Sequence, residues 1–215
     1  MNRFDKKKII IGIIGLGYVG LPLAVEFGKK FPTYGFDVRK KRIDQLKKFF
    51  DSNLEITKKD IKSSNKITFT NNLKDLKNVN YFIVTVPTPV DKKNNPDLSL
   101  VLKACKMIGK FLKVGDIVIF ESTVYPGATE NEFVNVLEKY SGLKFNQDFF
   151  CGYSPERINP GDKLNKITKI KKITSGSTSK ISEIVDKLYK QVITAGTFKA
   201  KDIMTAEAAK VIENI

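Results

Sequence analysis

The feature that most constrains the fold is a glycine-rich turn between a predicted strand and a predicted helix. The turn has the sequence GLGYVG at positions 15–20, after the apolar run 9–14 and at the start of the amphipathic stretch 18–30. In such a turn the first glycine permits the bend, the second lets a pyrophosphate approach, and the third lets helix and strand pack closely. The helix amino terminus adds N–H groups and partial positive charge for phosphates. We predict a dinucleotide-binding turn built from Gly15, Gly17, Tyr18, Val19 and Gly20.

An acidic residue follows this turn at the spacing that a dinucleotide requires. Asp37 closes the second predicted strand, residues 33–38, and stands 22 positions after Gly15. A carboxylate there accepts hydrogen bonds from the adenosine ribose and repels a 2′-phosphate, which favours NAD over NADP. The basic run 39–42 could favour NADP instead. We interpret it mainly as the solvated first turn of a helix, with Arg42 placed to lie against the adenine, and we predict NAD as the cofactor.

Short β-branched runs alternate with longer amphipathic stretches in the rest of the chain, which is typical of a parallel sheet with crossover helices. We therefore predict an α/β fold, a Rossmann-type doubly wound parallel sheet of strand order 3-2-1-4-5-6. Extra strands are expected after residue 160, near Ile173 and Ile193, followed by a trailing helix from Asp202. The first six predicted strands cover residues 9–14, 33–38, 67–70, 79–86, 116–121 and 149–153.

Two of the predicted helices carry start signals. Asp97 is placed to cap a helix over residues 98–112. Thr129 and Glu132 have the spacing of a capping box, which predicts a helix that runs to about Tyr140.

Three loops at the carboxyl ends of predicted strands carry further candidate residues. Ligands of such sheets bind at these ends, so we expect the loops after the fourth and fifth strands to border the cofactor. Either of these two loops alone would also suit a simple turn, although prolines stiffen them. The proline-braced loop after the sixth strand combines a carboxylate, a guanidinium and an amide, which would suit the fixing of a polar substrate. The candidates are Val86, Pro87 and Thr88 after the fourth strand, Thr123 after the fifth, and Glu156, Arg157, Ile158 and Asn159 after the sixth.

Composition excludes several kinds of chemistry. The sequence contains no histidine, which excludes Ser-His-Asp triads, Cys-His nucleophiles and histidine-ligated zinc, and we predict no metal site. Cys105 and Cys151 lack the spacing of a metal knuckle or a redox pair and are expected to be buried, inert thiols. The charged start of the chain, and the lack of an apolar run of about 18 residues, favour a cytoplasmic chain without a membrane span.

The net charge of +15 suggests a nucleic-acid partner at first sight. However, 34 of the 38 basic residues are lysines spread over helix faces and loops, without an RNP, KH or zinc-finger pattern. A lysine-rich composition explains the charge, and attraction of an anionic small substrate is the alternative. We predict no nucleic-acid partner.

Six motifs, taken together, make the chain resemble the UDP-glucose/GDP-mannose dehydrogenase family. They are GYVGLPLA (17–24), GFD (35–37), VPTP (86–89), ESTVYPGATE (121–130), YSPERINPGD (153–162) and AEAAKVIEN (206–214), and they span the chain in order. The form PERINPG is more similar to the branch of the family that oxidises UDP-N-acetylhexosamines, in particular UDP-N-acetylglucosamine, than to the UDP-glucose branch.

The resemblance implies a two-step oxidation of the sugar C6 alcohol to a carboxylate, with two NAD and a cysteine that carries the intermediate as a thioester. It implies that Glu156 and Thr123 position or activate the hydrolytic water. Lys210 and Asn214 lie four apart, on one helix face, and would stabilise the developing oxyanion; without the resemblance, an exposed helix face would explain them. Implied substrate contacts are Glu156, Arg157, Ile158, Asn159, Lys210 and Asn214.

The resemblance also implies a domain division, with residues 1–200 as the NAD-binding domain and 201–215 as the start of a long interdomain helix. The nucleophilic cysteine, the UDP-binding domain and most of the helix that forms a homodimer would lie outside these 215 residues. We therefore expect the 215 residues to be monomeric and to bind NAD without oxidising a UDP-sugar. The product would serve capsule or O-antigen synthesis. Open alternatives are UDP-glucose or UDP-N-acetylmannosamine as substrate, and a non-catalytic NAD-binding module.

Overall fold

The structure, a computed structural model, describes residues 8–90, 95–158 and 167–213. The strands are β1 (Ile11–Ile14), β2 (Thr33–Phe36), β3 (Ile67–Thr70), β4 (Tyr81–Val84), β5 (Ile117–Phe120), β6 (Phe150–Tyr153), β7 (Lys172–Gly176) and β8 (Thr197–Lys199). The α-helices are α1 (Gly20–Gly28), α2 (Lys40–Lys47), α3 (Lys58–Ser63), α4 (Ser99–Gly109), α5 (Val134–Ser141), α6 (Ser179–Lys190) and α7 (Ile203–Glu213). Short 3₁₀-helices occur at Leu73–Asn78 and Ile167–Lys169, and a π-helical turn at Thr129–Phe133.

The described strands form one sheet of order β3-β2-β1-β4-β5-β6-β7-β8. The six strands from β3 to β6 in this order are parallel, as their pairing shows. Strand β7 runs antiparallel to β6, and β8 runs parallel to β7. The predicted α/β class, the order 3-2-1-4-5-6 and the extra strands after residue 160 are therefore confirmed.

The core lies on both faces of the sheet. In β4, Phe82 and Val84 pack into the cluster on one face, whereas Tyr81 and Ile83 pack into the cluster on the other. Helices α4, α5 and α7 contribute to the first cluster, and α1, α2, α3 and α6 to the second. A strand buried on both faces is apolar at every position, because neither set of alternating side chains meets water. This three-layer packing explains the continuous apolar runs in the sequence.

The capping box predicted at Thr129 and Glu132 is wrong. The helix begins with the π-helical turn, which has no side-chain cap, and the Thr129 hydroxyl donates to Glu207 of α7 over 2.6 Å. The Glu207 carboxylate, 78 residues away in the chain, therefore accepts the hydrogen bond of the hydroxyl that the local spacing had assigned to a helix cap. At the other predicted cap, Asp97 does accept a hydrogen bond from the Ser99 amide, at 2.8 Å.

The last short strand begins later than predicted. Residue Ile193, where we expected it, is buried behind α6 and its amide donates to the Tyr189 carbonyl, so it extends the end of that helix. Strand β8 starts at Thr197 instead. The apolar character of Ile193 indicated burial but not the kind of element.

Both cysteines are buried, as predicted. Burial raises the pKa of the Cys105 and Cys151 thiols well above the ordinary value. Because the thiolate is the reactive form, these side chains are inert packing groups. Within the described ranges the structure has no helix long and apolar enough to cross a membrane.

Candidate functional site

A cavity of about 850 Å³ opens where β1, β2, β4 and β5 end at their carboxyl termini. This volume lies in the range of small-molecule sites. Of the predicted residues, Gly15, Gly17, Tyr18, Val19, Asp37, Val86, Pro87, Thr88, Thr123 and Glu156 line it. Gly20, Arg42, Arg157, Ile158 and Lys210 are not among its lining residues.

The three glycines of the first turn have different tasks. Gly15 has a φ of +99°, which favours glycine, and a Cβ at Gly20 would lie 1.9 Å from the Gly15 carbonyl oxygen. By contrast, a Cβ at Gly17 would meet no atom within 4 Å. The fold therefore requires glycine at positions 15 and 20, whereas Gly17 leaves open space on the cavity wall.

Asp37 lies directly after β2, at the rim of the cavity. Its carboxylate accepts hydrogen bonds from the Leu16 amide at 3.0 Å, the Arg39 amide at 2.9 Å, and two guanidinium nitrogens of Arg39 at 3.1 Å each. Burial alone would raise the pKa of Asp37, but the hydrogen bonds from Arg39 and Leu16 outweigh it and lower the pKa. Asp37 is therefore ionised at neutral pH, and its partner Arg39 is largely exposed.

Asp37→Ala is expected to narrow the preference for NAD over NADP by about tenfold, because it removes both a ribose acceptor and a charge that repels a 2′-phosphate. Calorimetric titration of both dinucleotides measures the ratio of affinities. Asp44→Ala is the matched control, since Asp44 is an exposed acid of α2 outside the cavity. Equal affinity of the unmodified chain for the two dinucleotides would contradict the role of Asp37.

Arg42, which the sequence suggested could lie against the adenine, is not among the residues that line the cavity. Its guanidinium is buried and donates to the Leu16 carbonyl at 2.9 Å and to Asp51 at 2.6 Å. Asp51 in turn accepts the backbone amides of Asn53, Glu55 and Ile56. Arg42 therefore ties the loop after α2 to the glycine-rich turn.

The loops after β4 and β5 are joined to each other at the cavity. The Thr88 hydroxyl donates to the Thr123 carbonyl at 2.6 Å, and the Ser122 hydroxyl donates to the Val86 carbonyl at 2.5 Å. Below them, the buried Tyr153 hydroxyl donates to the Ser122 carbonyl at 3.0 Å. These bonds place the exposed Thr123 side chain on the cavity wall, opposite the glycine-rich turn.

Glu156 follows β6 and is a buried carboxylate on the cavity wall, only 7% exposed. One of its oxygens accepts the backbone amides of Arg157 and Ile158. These two residues, predicted to contact substrate, thus hold Glu156 through their main chain. Asn159 lies outside the described residues.

Sequence analysis missed a buried charge cluster behind Glu156. Lys172, the first residue of β7, places its ammonium 2.8 Å from Glu121 and 3.5 Å from Glu156. The Tyr189 hydroxyl of α6 donates to the other oxygen of Glu121. Glu121 could have been found from its place at the end of β5, but Lys172 stands among other lysines and carries no local signal.

The trailing helix α7 is fastened to the loop after β5 by Glu207. This carboxylate is fully buried and accepts the Gly127 amide at 2.6 Å and the Thr129 amide at 3.0 Å. Burial raises the pKa of Glu207. Lys210, one turn later, is partly buried, while Asn214 lies outside the described residues.

Comparison with known proteins identifies the fold and the cofactor. Residues 9–193 match the model of the UDP-glucose/GDP-mannose dehydrogenase family, NAD binding domain. The chain belongs to this family. The predicted resemblance and the predicted NAD cofactor are thereby confirmed, and the open position at Gly17 beside the acidic Asp37 fits a dinucleotide.

Several relatives are similar along almost the whole chain. The UDP-N-acetyl-D-glucosamine 6-dehydrogenase of Pseudomonas aeruginosa is 60% identical over 208 residues, which are 97% of this chain and 49% of the relative. The Salmonella typhi enzyme of the same name is 56% identical, over 98% of this chain and 50% of its own length. The structure of the UDP-D-ManNAc dehydrogenase from Pyrococcus horikoshii superposes with a TM-score of 0.86 at 31% identity, over 96% of this chain and 50% of that one. The chain thus spans about half the length of the relatives it matches.

Proposed function

We propose that this chain is the NAD-binding half of a nucleotide-sugar 6-dehydrogenase, which oxidises the C6 alcohol of a UDP-N-acetylhexosamine to the uronate with two NAD. The observation that carries the proposal is the position of Glu156, a buried carboxylate on the wall of the same cavity that begins at the glycine-rich turn. A plain dinucleotide-binding module has no need for such a carboxylate. The similarity to the two UDP-N-acetyl-D-glucosamine 6-dehydrogenases supports UDP-N-acetylglucosamine as the substrate.

The positions of the cavity-lining residues support a role in cofactor binding for several of them. The dinucleotide would lie against Gly15, Gly17, Tyr18 and Val19, with the ribose at Asp37 and the rest of the cofactor between the Val86–Thr88 segment and Thr123. NAD, when bound, supplies the hydride acceptor. Gly20 and Arg42 serve the cofactor by shaping the turn and the adjacent loop.

The chemical step assigned to this chain is the activation of water. Glu156 and Thr123, which both line the cavity, would orient a water molecule, and Glu156 would accept its proton as the water attacks an acyl intermediate. The ammonium of Lys210 and the amide of Asn214 would stabilise the resulting oxyanion, because a cation and an N–H donor match the charge that develops there. The acyl-carrying cysteine belongs to sequence outside these 215 residues in this proposal.

The wider assignment is part of the same proposal. Residues 1–200 would form the cofactor domain and 201–215 the start of an interdomain helix. The full-length enzyme would be a cytoplasmic homodimer that supplies a uronate for surface polysaccharide synthesis. The 54% identity to protein CapL of Staphylococcus aureus, over 95% of this chain, supports the role in surface polysaccharide synthesis.

The test is a panel of UDP-sugars. The full-length gene product is incubated with NAD and with UDP-N-acetylglucosamine, UDP-N-acetylmannosamine or UDP-glucose, and NADH formation is followed by absorbance. We expect the fastest NADH formation with UDP-N-acetylglucosamine, and none from the 215 residues alone, which should still bind NAD. Faster oxidation of another sugar would contradict UDP-N-acetylglucosamine as the substrate. NAD binding without oxidation of any sugar by the full-length product would indicate a non-catalytic module.

Glu156→Gln in the full-length gene product is expected to slow release of the uronate at least tenfold, by about 1.4 kcal/mol or more, because an amide cannot accept the proton of water. The first hydride transfer should change little. A covalent sugar adduct should therefore accumulate, and intact-protein mass spectrometry measures it. Glu132→Gln, at an exposed acid outside the cavity, is the control, and a Glu156→Gln enzyme that releases uronate at the normal rate would contradict the role.

A further inference from the structure

Lys172, which lies behind the cavity wall, is held by groups from several elements. Its Nζ atom donates to a Glu121 oxygen at 2.8 Å and to the Pro155 carbonyl at 3.2 Å, and lies 3.5 Å from a Glu156 oxygen. The side chain of Lys172 is 4% exposed, and those of Glu121 and Glu156 are buried. One ammonium thus faces two carboxylates, one at the end of β5 and one after β6.

The two carboxylates differ in their other partners. Glu121 also accepts a hydrogen bond from Tyr189, so both of its oxygens have donors. In Glu156, one oxygen accepts the Arg157 and Ile158 amides, while the other is buried and has no hydrogen-bond donor among the described residues. For that second oxygen the Lys172 ammonium is the neighbouring cation.

Glu121 and Glu156 line the cavity, whereas Lys172 and Tyr189 lie behind its wall. The Glu121 side chain is 0% exposed and that of Glu156 is 8% exposed, so a ligand in the cavity can meet Glu156 but does not touch the lysine. Burying a lysine among carboxylates carries a large desolvation cost unless the charges are well matched. Hydrophobic residues would fill the same space at less cost, so a role for the charge is the simplest explanation.

We propose that Lys172 is a positioning residue, whose ammonium, buried between Glu121 and Glu156, holds the Glu156 carboxylate fixed on the cavity wall. The role assigned to Glu156 is that of the proposed function, and the inference about Lys172 deepens it. Lys172 lies on β7, an element that belongs to the sheet extension rather than to the six parallel strands. This extension therefore contributes to the site through Lys172.

The charges around the cluster agree with this arrangement. Burial alone would lower the pKa of Lys172, but Glu121 and Glu156 outweigh it and raise the pKa, so the lysine stays charged. Burial raises the pKa of Glu121 to about 7, although Lys172 opposes the rise. Tyr18, which faces Glu156 from the glycine-rich turn, has a raised pKa because of burial and the Glu156 charge, and is neutral. Tyr189 is also neutral, since burial raises its pKa further.

The first experiment tests positioning in the 215-residue chain itself. Amide ¹H–¹⁵N spectra are compared for the unmodified chain, Lys172→Met, Lys172→Arg and Lys113→Met. Lys113 is the matched control, because it lies 3.8 Å from the buried Asp116 at the opposite end of β5. We expect Lys172→Met to shift the Arg157 and Ile158 amide signals as strongly as Glu156→Gln does, Lys172→Arg to restore them, and Lys113→Met to leave them unchanged. Unshifted Arg157 and Ile158 signals in Lys172→Met would overturn the proposal.

The second experiment uses the pH profile of the full-length gene product. In Lys172→Met, the acid limb of the kcat profile is expected to move to higher pH by about 1 or more, because the carboxylate cluster loses its cation, while KM for NAD changes less than about twofold. Lys172→Arg should restore the profile. An unmoved acid limb, or equal loss in Lys172→Arg, would indicate a packing role only.

The two experiments also separate this inference from the proposed function. If the full-length product oxidises no UDP-sugar, the proposed function fails, yet the amide signals of Arg157 and Ile158 still decide whether Lys172 fixes Glu156. If Lys172→Met does not fold, Lys172→Gln takes its place, since glutamine keeps a donor toward Glu121 but has no charge. Normal amide signals in a folded Lys172→Gln chain would then overturn the proposal.

Discussion

Gly17→Val is expected to weaken NAD binding by at least about 100-fold, roughly 2.7 kcal/mol, while leaving the stability of the chain unchanged. A Cβ at this position would meet no atom within 4 Å, so the fold has room for a small side chain there. That same space is where the pyrophosphate approaches the backbone of a glycine-rich turn. Calorimetric titration with NAD and thermal unfolding of the same preparation measure the two properties.

The control for this prediction is Gly20→Ala, which should show the opposite pattern. A Cβ there would lie 1.9 Å from the Gly15 carbonyl oxygen and 2.3 Å from the Thr85 hydroxyl. Relief of that contact requires the backbone of the turn to move, so the melting temperature should fall sharply. Unchanged NAD affinity in a folded Gly17→Val chain would show that the dinucleotide does not use this turn.

Glu207→Ala is expected to destabilise the chain by about 3 kcal/mol or more. The change leaves the buried amides of Gly127 and Thr129 and the Thr129 hydroxyl without their acceptor, and each orphaned donor costs about 1–3 kcal/mol. Chemical denaturation at neutral pH measures the free energy of unfolding.

Glu207→Gln separates the lost acceptor from the lost volume. Glutamine keeps the shape and one acceptor oxygen, so it should recover part of the stability. Asp202→Ala is the matched control on the same helix, because Asp202 is exposed and accepts the Thr205 amide at its start. A loss no larger in Glu207→Ala than in Asp202→Ala would contradict the clamp between α7 and the loop after β5.

Glu207 also links two segments that carry predicted site residues. The loop that it holds continues from Thr123, and the helix that carries it continues to Lys210. A structural defect at Glu207 should therefore disturb both positions at once. The buried location of Glu207 could not be inferred from its spacing to Lys210, which places both on adjacent helix turns but says nothing of what packs against them.

Local pattern determined most of the architecture. The continuous apolar run of β4 indicates a strand covered on both faces, and the alternation of strands and helices determines the parallel order. The local pattern failed at two positions where it fits more than one structure. The apolar Ile193 could equally end a helix or start a strand, and Thr129 could equally cap a helix or donate to a distant carboxylate. Periodicity does not distinguish these alternatives, because it records which residues are apolar and not their partners.

The sequence by itself determined the dinucleotide turn, the acidic residue at the end of β2 and the place of Glu156 after β6, because each depends on residues close together in the chain. Only the tertiary structure decided which partners reach these groups. Lys172 meets Glu121 across 51 residues, and Glu207 meets Gly127 across 80. Such contacts arise from the sheet order and helix packing, which bring distant segments together. The chain contains many lysines and glutamates, and the local sequence does not indicate which of them form these buried contacts.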